Sequence, residues 1–183
     1  ILGQLISINF VYFYFNFGFD YVASNLIVFF GIISNLYLII IYKKTQLSDS
    51  SALIFLIIDI LQLGSLLYLT GGISNPFVIF LIIPSVFASS NLSLKTNLLL
   101  VITTILIIIL LTFKSKDLPT PISNHFHVDA YYYFSIPLAL IIALVFLNYF
   151  AIIFGSESKL RKEALNKMEE VMAKEHEMLS LGG

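Results

Sequence analysis

Residues 52–77 read ALIFLIIDILQLGSLLYLTGGISNPF, an apolar segment followed by a polar turn. The apolar part, 52–69, is about long enough for a helix to cross the ~30 Å hydrocarbon core of a bilayer. The turn, 71–77, combines two adjacent glycines with an amide, a proline and an aromatic ring. Glycines let backbone approach a ligand closely, proline fixes one backbone angle, and the other two side chains offer hydrogen bonds and a stacking face. At a membrane boundary, this turn is a candidate cradle for a lipid-soluble ring.

The composition indicates a membrane protein. Of the 183 residues, 58% are hydrophobic and only 11% are charged, whereas soluble domains carry about 25% charged residues. The absence of cysteine excludes disulfides, thiolate metal sites and thiol redox sensing within this segment. With a net charge of −1 and no basic block, we expect no nucleic-acid partner. The chain begins inside an apolar run and ends without a polar tail, so we expect a fragment of a longer protein, with no visible signal peptide.

Six apolar segments are candidate membrane spans: 1–16, 23–42, 52–69, 77–92, 97–113 and 131–154. Continuous apolar runs favour helices, because a barrel would need alternating ten-residue segments. The fourth segment is short and contains Pro84, so we expect it to be tilted or kinked. The predicted fold class is all-α integral membrane: a six-helix transmembrane bundle over 1–154, followed by a cytoplasmic coiled-coil linker helix.

The placement of lysines predicts the orientation in the membrane. Lys43, Lys44 and Lys95 fall in alternate loops, on the same side as the charged C-terminal tail. Lys114 and Lys116 fall on the opposite side and oppose this assignment. On balance, both termini are predicted to face the cytoplasm, which places the glycine turn and the 114–130 loop on the outer face. The tyrosines at 131–133 would then anchor the sixth span at the interface.

The tail, 155–183, holds most of the charges of the chain. A 3-4-3-4 spacing relates Leu165, Met168, Met172, Glu175 and Leu179. This spacing predicts a short parallel coiled coil that forms a homodimer stalk. A single amphipathic helix lying on the membrane is the alternative.

Two polar residues interrupt the third span. Placing Asp59 near its middle costs about 2.5–3.5 kcal/mol, so Asp59 and neighbouring Gln62 should face protein. Asp59 is either a proton-sensitive or ligand-linked group, or a hydrogen-bonded group that holds helices together. A straight helix separates Asp59 from Gly71 by ~18 Å, so one small ring should not contact both. Interhelical hydrogen bonds are the expected role of the other intramembrane amides: Gln4, Asn25, Asn35 and Asn148.

The histidines give no strong motif. His125, His127 and Asp129 could share one face of an extended strand, but solvent exposure is their default and we assign no metal site. His176 is most simply a solvated helix residue and not a phosphorylation site. With no nucleotide-binding glycine loop, nucleophile triad or carboxylate pair, we assign no catalytic residue to this fragment.

Residues 59–77, DILQLGSLLYLTGGISNPF, resemble the third span and following loop of RegB/PrrB-type redox-sensing membrane histidine kinases. Weaker similarities occur at Gly3-Gln4, Gly18-Phe19, Ser34-Asn35-Leu36 and 179–183. The resemblance covers essentially the whole chain, although only the Gly-Gly-x-x-Asn-Pro-Phe run is highly specific. It implies six transmembrane helices in the bacterial inner membrane. A cytoplasmic linker, a phosphotransfer helix pair and an ATP-binding domain would follow.

The same resemblance implies a ligand. In that family the Gly-Gly-x-x-Asn-Pro-Phe segment is associated with ubiquinone, which here implies quinone binding at Gly71, Gly72, Asn75, Pro76 and Phe77. Intramembrane polar support would come from Asp59 and Gln62. A response regulator is the implied partner, and ATP would serve only the kinase domain outside this fragment.

Three functions therefore remain open. In the first, quinone at the turn biases helix packing, and the sixth span, with Pro137 as a flex point, passes that bias to the stalk. In the second, the chain is a small polytopic transporter or channel, with Asp59 and Gln62 lining a path near the midplane. In the third, it is a membrane scaffold that acts only through its coil.

Overall fold

The computed structural model describes residues 1–41, 48–118 and 130–181, and these residues contain helices but no β-strand. The α-helices are α1 (Leu2–Phe15), α2 (Tyr21–Ile41), α3 (Asp49–Leu69), α4 (Ile83–Asn91), α5 (Leu94–Phe113) and α6 (Ala130–Leu181). A 3₁₀ turn (Gly72–Ser74) and a 3₁₀ helix (Pro76–Ile82) connect α3 to α4. The predicted all-α class is thus confirmed for the described residues.

Four helices are long and apolar enough to cross a membrane: α2, α3, α5 and the 133–176 part of α6. The predicted first and fourth spans correspond to shorter apolar helices, Leu2–Phe15 and Pro76–Asn91. The 14 residues of α1 extend ~21 Å, which is less than the ~30 Å hydrocarbon core. The six-span topology therefore stays a prediction, as does the orientation.

Two helices begin three residues earlier than the apolar pattern predicts. The start of α3 is capped by Ser48, whose hydroxyl accepts a hydrogen bond from the Ser51 backbone N–H at 3.2 Å. Asp49 then lies in the first turn, where a carboxylate is favourable at a helix N-terminus. Helix α5 begins at Leu94, after Ser93, whose side chain makes no capping hydrogen bond. Apolar content locates the part of a helix within the membrane, whereas polar residues at the N-terminal end extend it beyond that part.

The fourth segment changes helix type at Pro84, and its predicted tilt or kink stays a prediction. Residues 76–82 form the 3₁₀ helix, and α4 begins immediately before Pro84. Proline has no backbone N–H, so Pro84 cannot donate the α-helical bond to the Phe80 carbonyl. The Ile83 N–H donates to that carbonyl instead, in the tighter 3₁₀ pattern. The backbone is therefore satisfied across the proline.

Helices α3 and α5 run parallel, with the 3₁₀ helix and α4 returning between them. At one end, the Asp49 carboxylate accepts a hydrogen bond from the Ser93 backbone N–H at 2.9 Å. At the other, the Lys116 N–H donates to the Tyr68 carbonyl at 2.9 Å. Between these ties, Gly64 lies so close to Ile107 that a Cβ would meet its side chain at 2.9 Å. The end of α5 is thereby held beside the glycine turn.

The main apolar core lies among α3, the 3₁₀ helix, α4, α5 and α6. Its fully buried side chains include Ile60, Leu81, Leu100, Ile108 and Leu144. A second, smaller cluster joins Ile8 of α1 and Val28 of α2 to Leu66 of α3. The first two helices thus form a peripheral pair on one side of α3.

The last helix is continuous over 52 residues and contains Pro137 in its membrane part. It passes through Gly155, where the composition changes from apolar to charged, without a break. Its heptad side chains Leu165, Met168 and Met172 are exposed. A continuous helix does not test the predicted domain division. The transmembrane domain, 1–154, and the linker helix, 155–183, therefore stay a prediction.

Helices α4 and α6 approach closely at Gly155. A Cβ placed there would lie 3.1 Å from Cβ of Ser90, close to the ~3.5–4.5 Å that a disulfide requires. The chain has no native cysteine. We therefore expect the double variant Ser90→Cys/Gly155→Cys to form a disulfide under mild oxidation, detected by mass spectrometry of the linked peptides. The control pair Ser90→Cys/Gly18→Cys should stay reduced, and equal linkage in both pairs would contradict this packing of α4 on α6.

Candidate ligand-binding cavity

The two glycines of the turn adopt backbone conformations that other residues rarely take. Gly71 has φ of 112° and Gly72 has φ of 55°. The segment that follows α5 packs directly onto both. A Cβ on Gly71 would lie 2.5 Å from Leu118, and one on Gly72 would lie 2.3 Å from Ser115. Glycine is therefore required here for both chain reversal and close packing.

Asn75 hydrogen-bonds to residues on both sides of itself in the turn. Its amide nitrogen donates to the Thr70 carbonyl at 2.8 Å and to the Thr70 hydroxyl oxygen at 2.9 Å. Its amide oxygen accepts from the Phe77 backbone N–H at 2.9 Å. The side chain is 9% exposed. Asn75 thus caps the 3₁₀ helix and ties it to the end of α3.

The 3₁₀ helix presents two aromatic rings side by side. Phe77 and Phe80 are stacked, with ring centroids 5.9 Å apart and ring planes inclined by 26°. Each is 46% exposed, so about half of each side chain is accessible. The tighter 3₁₀ helix places residues i and i+3 directly above one another, which explains this alignment.

A cavity of about 610 Å³ lies between α1, α3 and the 3₁₀ helix. This volume is within the ~300–1,000 Å³ typical of small-molecule sites. Its walls are mainly apolar, and they include residues of the turn, of α1 and of the loop after α1. The lining residues include Gln4, Phe17, Phe19, Asn75, Pro76, Phe77, Phe80 and Leu118. Such a cavity can enclose a flat apolar ring and orient it with few polar groups.

The side-chain amide of Gln4 in the cavity wall is oriented by a hydrogen bond from α3. The Gln62 side-chain nitrogen donates to the Gln4 side-chain oxygen at 3.1 Å. Gln62 is 5% exposed, with Gly31 of α2 behind it. This bond occupies the Gln4 oxygen, so the Gln4 nitrogen is the end of that amide that can donate to a ligand. Thr70 also lines the cavity, but its hydroxyl already donates to the Leu66 carbonyl.

The sequence-predicted site residues fall into two groups. Asn75, Pro76 and Phe77 line the cavity, whereas Gly71 and Gly72 lie against the segment after α5 and are outside the lining. The assignment of all five to quinone binding stays a prediction.

The predicted polar-support residues lie behind the cavity. Gln62 reaches the wall only through its bond to Gln4, and the lining does not include Asp59. Asp59 instead accepts a hydrogen bond from Asn35 of α2 at 3.3 Å.

The predicted role of the intramembrane amides is confirmed for three of the four. Gln4 bonds to α3, Asn35 bonds to α3, and Asn25 accepts a bond from Asn9 of α1 at 3.2 Å. The prediction is wrong for Asn148, whose nitrogen donates to the Leu144 carbonyl within its own helix. Among the described residues its oxygen has no partner. An amide can satisfy its donors locally on the same helix, and spacing alone does not exclude this.

Several lining residues were not assigned to the site from the sequence, namely Gln4, Phe17, Phe19, Phe80 and Leu118. Phe80 lies one helical turn after Phe77, but the others come from segments far from the turn in sequence, which periodicity cannot bring together. The available signals were the pairs Gly3-Gln4 and Gly18-Phe19, which resemble the family pattern. The histidine group of His125, His127 and Asp129 lies outside the described residues.

The chain is similar to a sensor histidine kinase. It is 26% identical over 141 residues to the sensor histidine kinase RegB of Cereibacter sphaeroides, and the match covers 77% of this chain. The match spans 30% of the length of that kinase. No protein-family model matches the chain, and no solved structure matches it.

The similarity confirms the resemblance to RegB-type sensors that residues 59–77 indicate. At a coarse level it supports a kinase sensor region, and together with the apolar helices it indicates a membrane protein.

The glycine turn provides a stability test. In Gly72→Ala, the left-handed conformation costs about 1–2 kcal/mol, and the overlap with Ser115 adds about 1–3 kcal/mol. We expect a loss of about 2–5 kcal/mol in the free energy of unfolding in mixed micelles. The matched control is Gly18→Ala, where an added Cβ meets no atom within 4 Å, so the change should be within about 0.5 kcal/mol. Equal stability of the two variants would contradict the close approach at Gly72.

Proposed function

We propose that this chain is the membrane sensor region of a two-component, redox-responsive histidine kinase, and that a ubiquinone ring binds in the cavity between α1, α3 and the 3₁₀ helix. The observation that carries the proposal is that Asn75, Pro76 and Phe77 form part of the wall of that cavity. Similarity to a sensor histidine kinase supports the signalling role. The ligand is proposed from the chemistry of the cavity together with the family resemblance.

The cavity suits a quinone ring chemically. The ring is flat and largely apolar, and its two carbonyl oxygens accept hydrogen bonds. Phe77 and Phe80 offer a stacking surface at the wall. The Gln4 nitrogen, oriented by Gln62, is a donor for one carbonyl. The isoprenoid tail would leave along the partly open side of the cavity toward the lipid.

In this proposal the two glycines shape the cavity, whereas the aromatic residues of its wall contact the ligand. Gly71 and Gly72 shape the reversal and seat the segment 115–118, and Leu118 of that segment closes the cavity. They act on the ligand through the position of the wall. Asn75 likewise acts by holding the start of the 3₁₀ helix in place.

A continuous set of elements connects the cavity to the stalk. The 3₁₀ helix continues directly into α4, and α4 packs along α6 as far as Gly155. A ligand shifts the signalling equilibrium only by its differential affinity for the two states. A difference of ~1.4 kcal/mol moves that equilibrium about tenfold. Oxidised and reduced quinone differ in hydrogen bonding, because the carbonyl acceptors become hydroxyl donors.

The rest of the proposal follows the family pattern. The exposed heptad residues of α6 support a homodimer stalk, with a kinase region and its response regulator beyond it. The expected location is the bacterial inner membrane, with both termini in the cytoplasm. The transporter alternative has less support, because Asp59 and Gln62 bond to side chains of neighbouring helices.

The test compares cavity variants with matched variants outside the cavity. In the full-length kinase in nanodiscs, we expect Phe77→Ala to weaken binding of a short-chain ubiquinone analogue about 5- to 30-fold, through lost stacking and burial. Gln4→Leu should weaken it about 2- to 10-fold, through the lost hydrogen bond. Binding is measured by calorimetry, and autophosphorylation is measured with oxidised and with reduced analogue.

Two controls make the test specific. Phe87→Ala removes an exposed phenylalanine on α4 that is outside the cavity lining, and Asp59→Asn changes the midspan polar group. Both should bind the analogue within about twofold of the wild-type protein. If Phe77→Ala and Gln4→Leu each bind the analogue with wild-type affinity, the quinone does not bind in this cavity. Loss of affinity without any change in redox-dependent phosphorylation would separate binding from sensing and reject the sensor role.

A further inference from the structure

A second cavity, of about 390 Å³, lies between the C-terminal end of α4 and α6, away from the glycine turn. We call it the basic cleft. It is lined by Ser90, Asn91, Ala151, Phe154, Gly155, Ser158, Lys159 and Lys162. It shares no residue with the quinone cavity, and the inference below does not depend on the proposed function.

The polar half of the basic cleft is cationic. Ser158 and Lys159 follow Gly155 by three and four residues, and Lys162 follows them by four and three, which puts the lysines and Gly155 on one side of α6. Within the described ranges, neither lysine lies within ion-pair distance of a carboxylate. The neighbouring ion pair, Arg161 with Glu157 at 3.7 Å, belongs to side chains that do not line the cleft. Both ammonium groups are therefore available to an anion.

The polar groups of α4 form the opposite wall. The Asn91 side-chain nitrogen donates to the Phe87 carbonyl at 2.8 Å and to the Ser90 hydroxyl oxygen at 3.0 Å. The Ser90 hydroxyl itself donates to the Phe87 carbonyl at 3.1 Å. These bonds orient the two side chains beside Gly155, where α4 and α6 are close. The lysines thus face hydrogen-bonded polar side chains across the cleft.

The other half of the cleft is apolar. Ala151 and Phe154 precede Gly155 by one helical turn or less, on the part of α6 that is apolar enough to lie in a membrane. Along α6, the cleft therefore changes from apolar to cationic at the point where the helix changes composition. A phospholipid has the same order of groups, with acyl chains beside a phosphodiester.

We infer that the basic cleft binds the headgroup of an anionic phospholipid from the surrounding bilayer. The phosphodiester lies between Lys159 and Lys162, and the start of an acyl chain covers Phe154. A free phosphate ion would use the lysines but leave the apolar half uncovered, so the arrangement favours the lipid. Basic pockets between membrane helices are a recognised form of lipid-headgroup site. A bound lipid would tie the end of α4 to α6 at the start of the charged stalk.

The experiment measures lipid binding to the full-length protein. Native mass spectrometry of the detergent-solubilised protein follows titration with phosphatidylglycerol, phosphatidylcholine or inorganic phosphate. We expect phosphatidylglycerol to bind more tightly than phosphatidylcholine. The variant Lys159→Gln/Lys162→Gln should lose about 10- to 30-fold in affinity for phosphatidylglycerol, because each basic residue near an anionic surface contributes about fivefold.

The matched control removes the same charge outside the cleft. Arg161→Gln/Lys167→Gln alters two cations of the same helix that do not line it, and its affinity for phosphatidylglycerol should stay within about twofold of wild type. Circular dichroism confirms that both variants are folded. Equal losses in the two double variants would show a general charge effect and overturn the site. Tight, lysine-dependent binding of inorganic phosphate without preference for phosphatidylglycerol would overturn its assignment to a lipid.

Discussion

The side-chain amide of Asn75 makes the hydrogen bonds on which the arrangement of this end of the molecule depends. The backbone ladder of α3 stops at Leu69, and nearby polar groups need partners in a largely apolar environment. The Asn75 amide donates a hydrogen bond to the Thr70 carbonyl and accepts one from the Phe77 N–H. The glycines allow the chain to reverse, but the amide fixes the direction in which it continues. The position of Phe77 and the course of α4 both follow from it.

The chain after this amide connects two sites. One end of the segment 76–91 forms a wall of the cavity between α1, α3 and the 3₁₀ helix, and the other forms a wall of the basic cleft. Along its length it packs against α5 and α6, with Ser85 hydrogen-bonded to Thr104 at 2.9 Å in the buried interior. A segment packed along one side moves more readily as a unit than by local deformation. This segment connects the cavity to the part of α6 near Gly155.

Much of this architecture could be predicted from the sequence, because hydrophobic runs and a proline act locally. The all-α class, the end of α3 at Leu69 and the irregularity at Pro84 follow from such signals. The site was only partly predictable. Nothing local indicates that Leu118 covers Gly71 or that Gln4 bonds to Gln62, since these pairs are distant in sequence. Asn148 shows the reverse case, in which a local bond replaced the expected interhelical one.

The unbroken course of α6 has a mechanical consequence. A helix of 52 residues is ~78 Å long, and the part beyond Gly155 accounts for roughly 40 Å of it. Because the helix has no break near Gly155, that part would tilt as a rigid rod about the point where α6 crosses α4. A tilt of roughly 5° at the crossing would displace the far end by roughly 3.5 Å, because displacement grows with the length of the helix. A small tilt at the crossing can thus become a displacement of several Å at the C-terminal end of the helix.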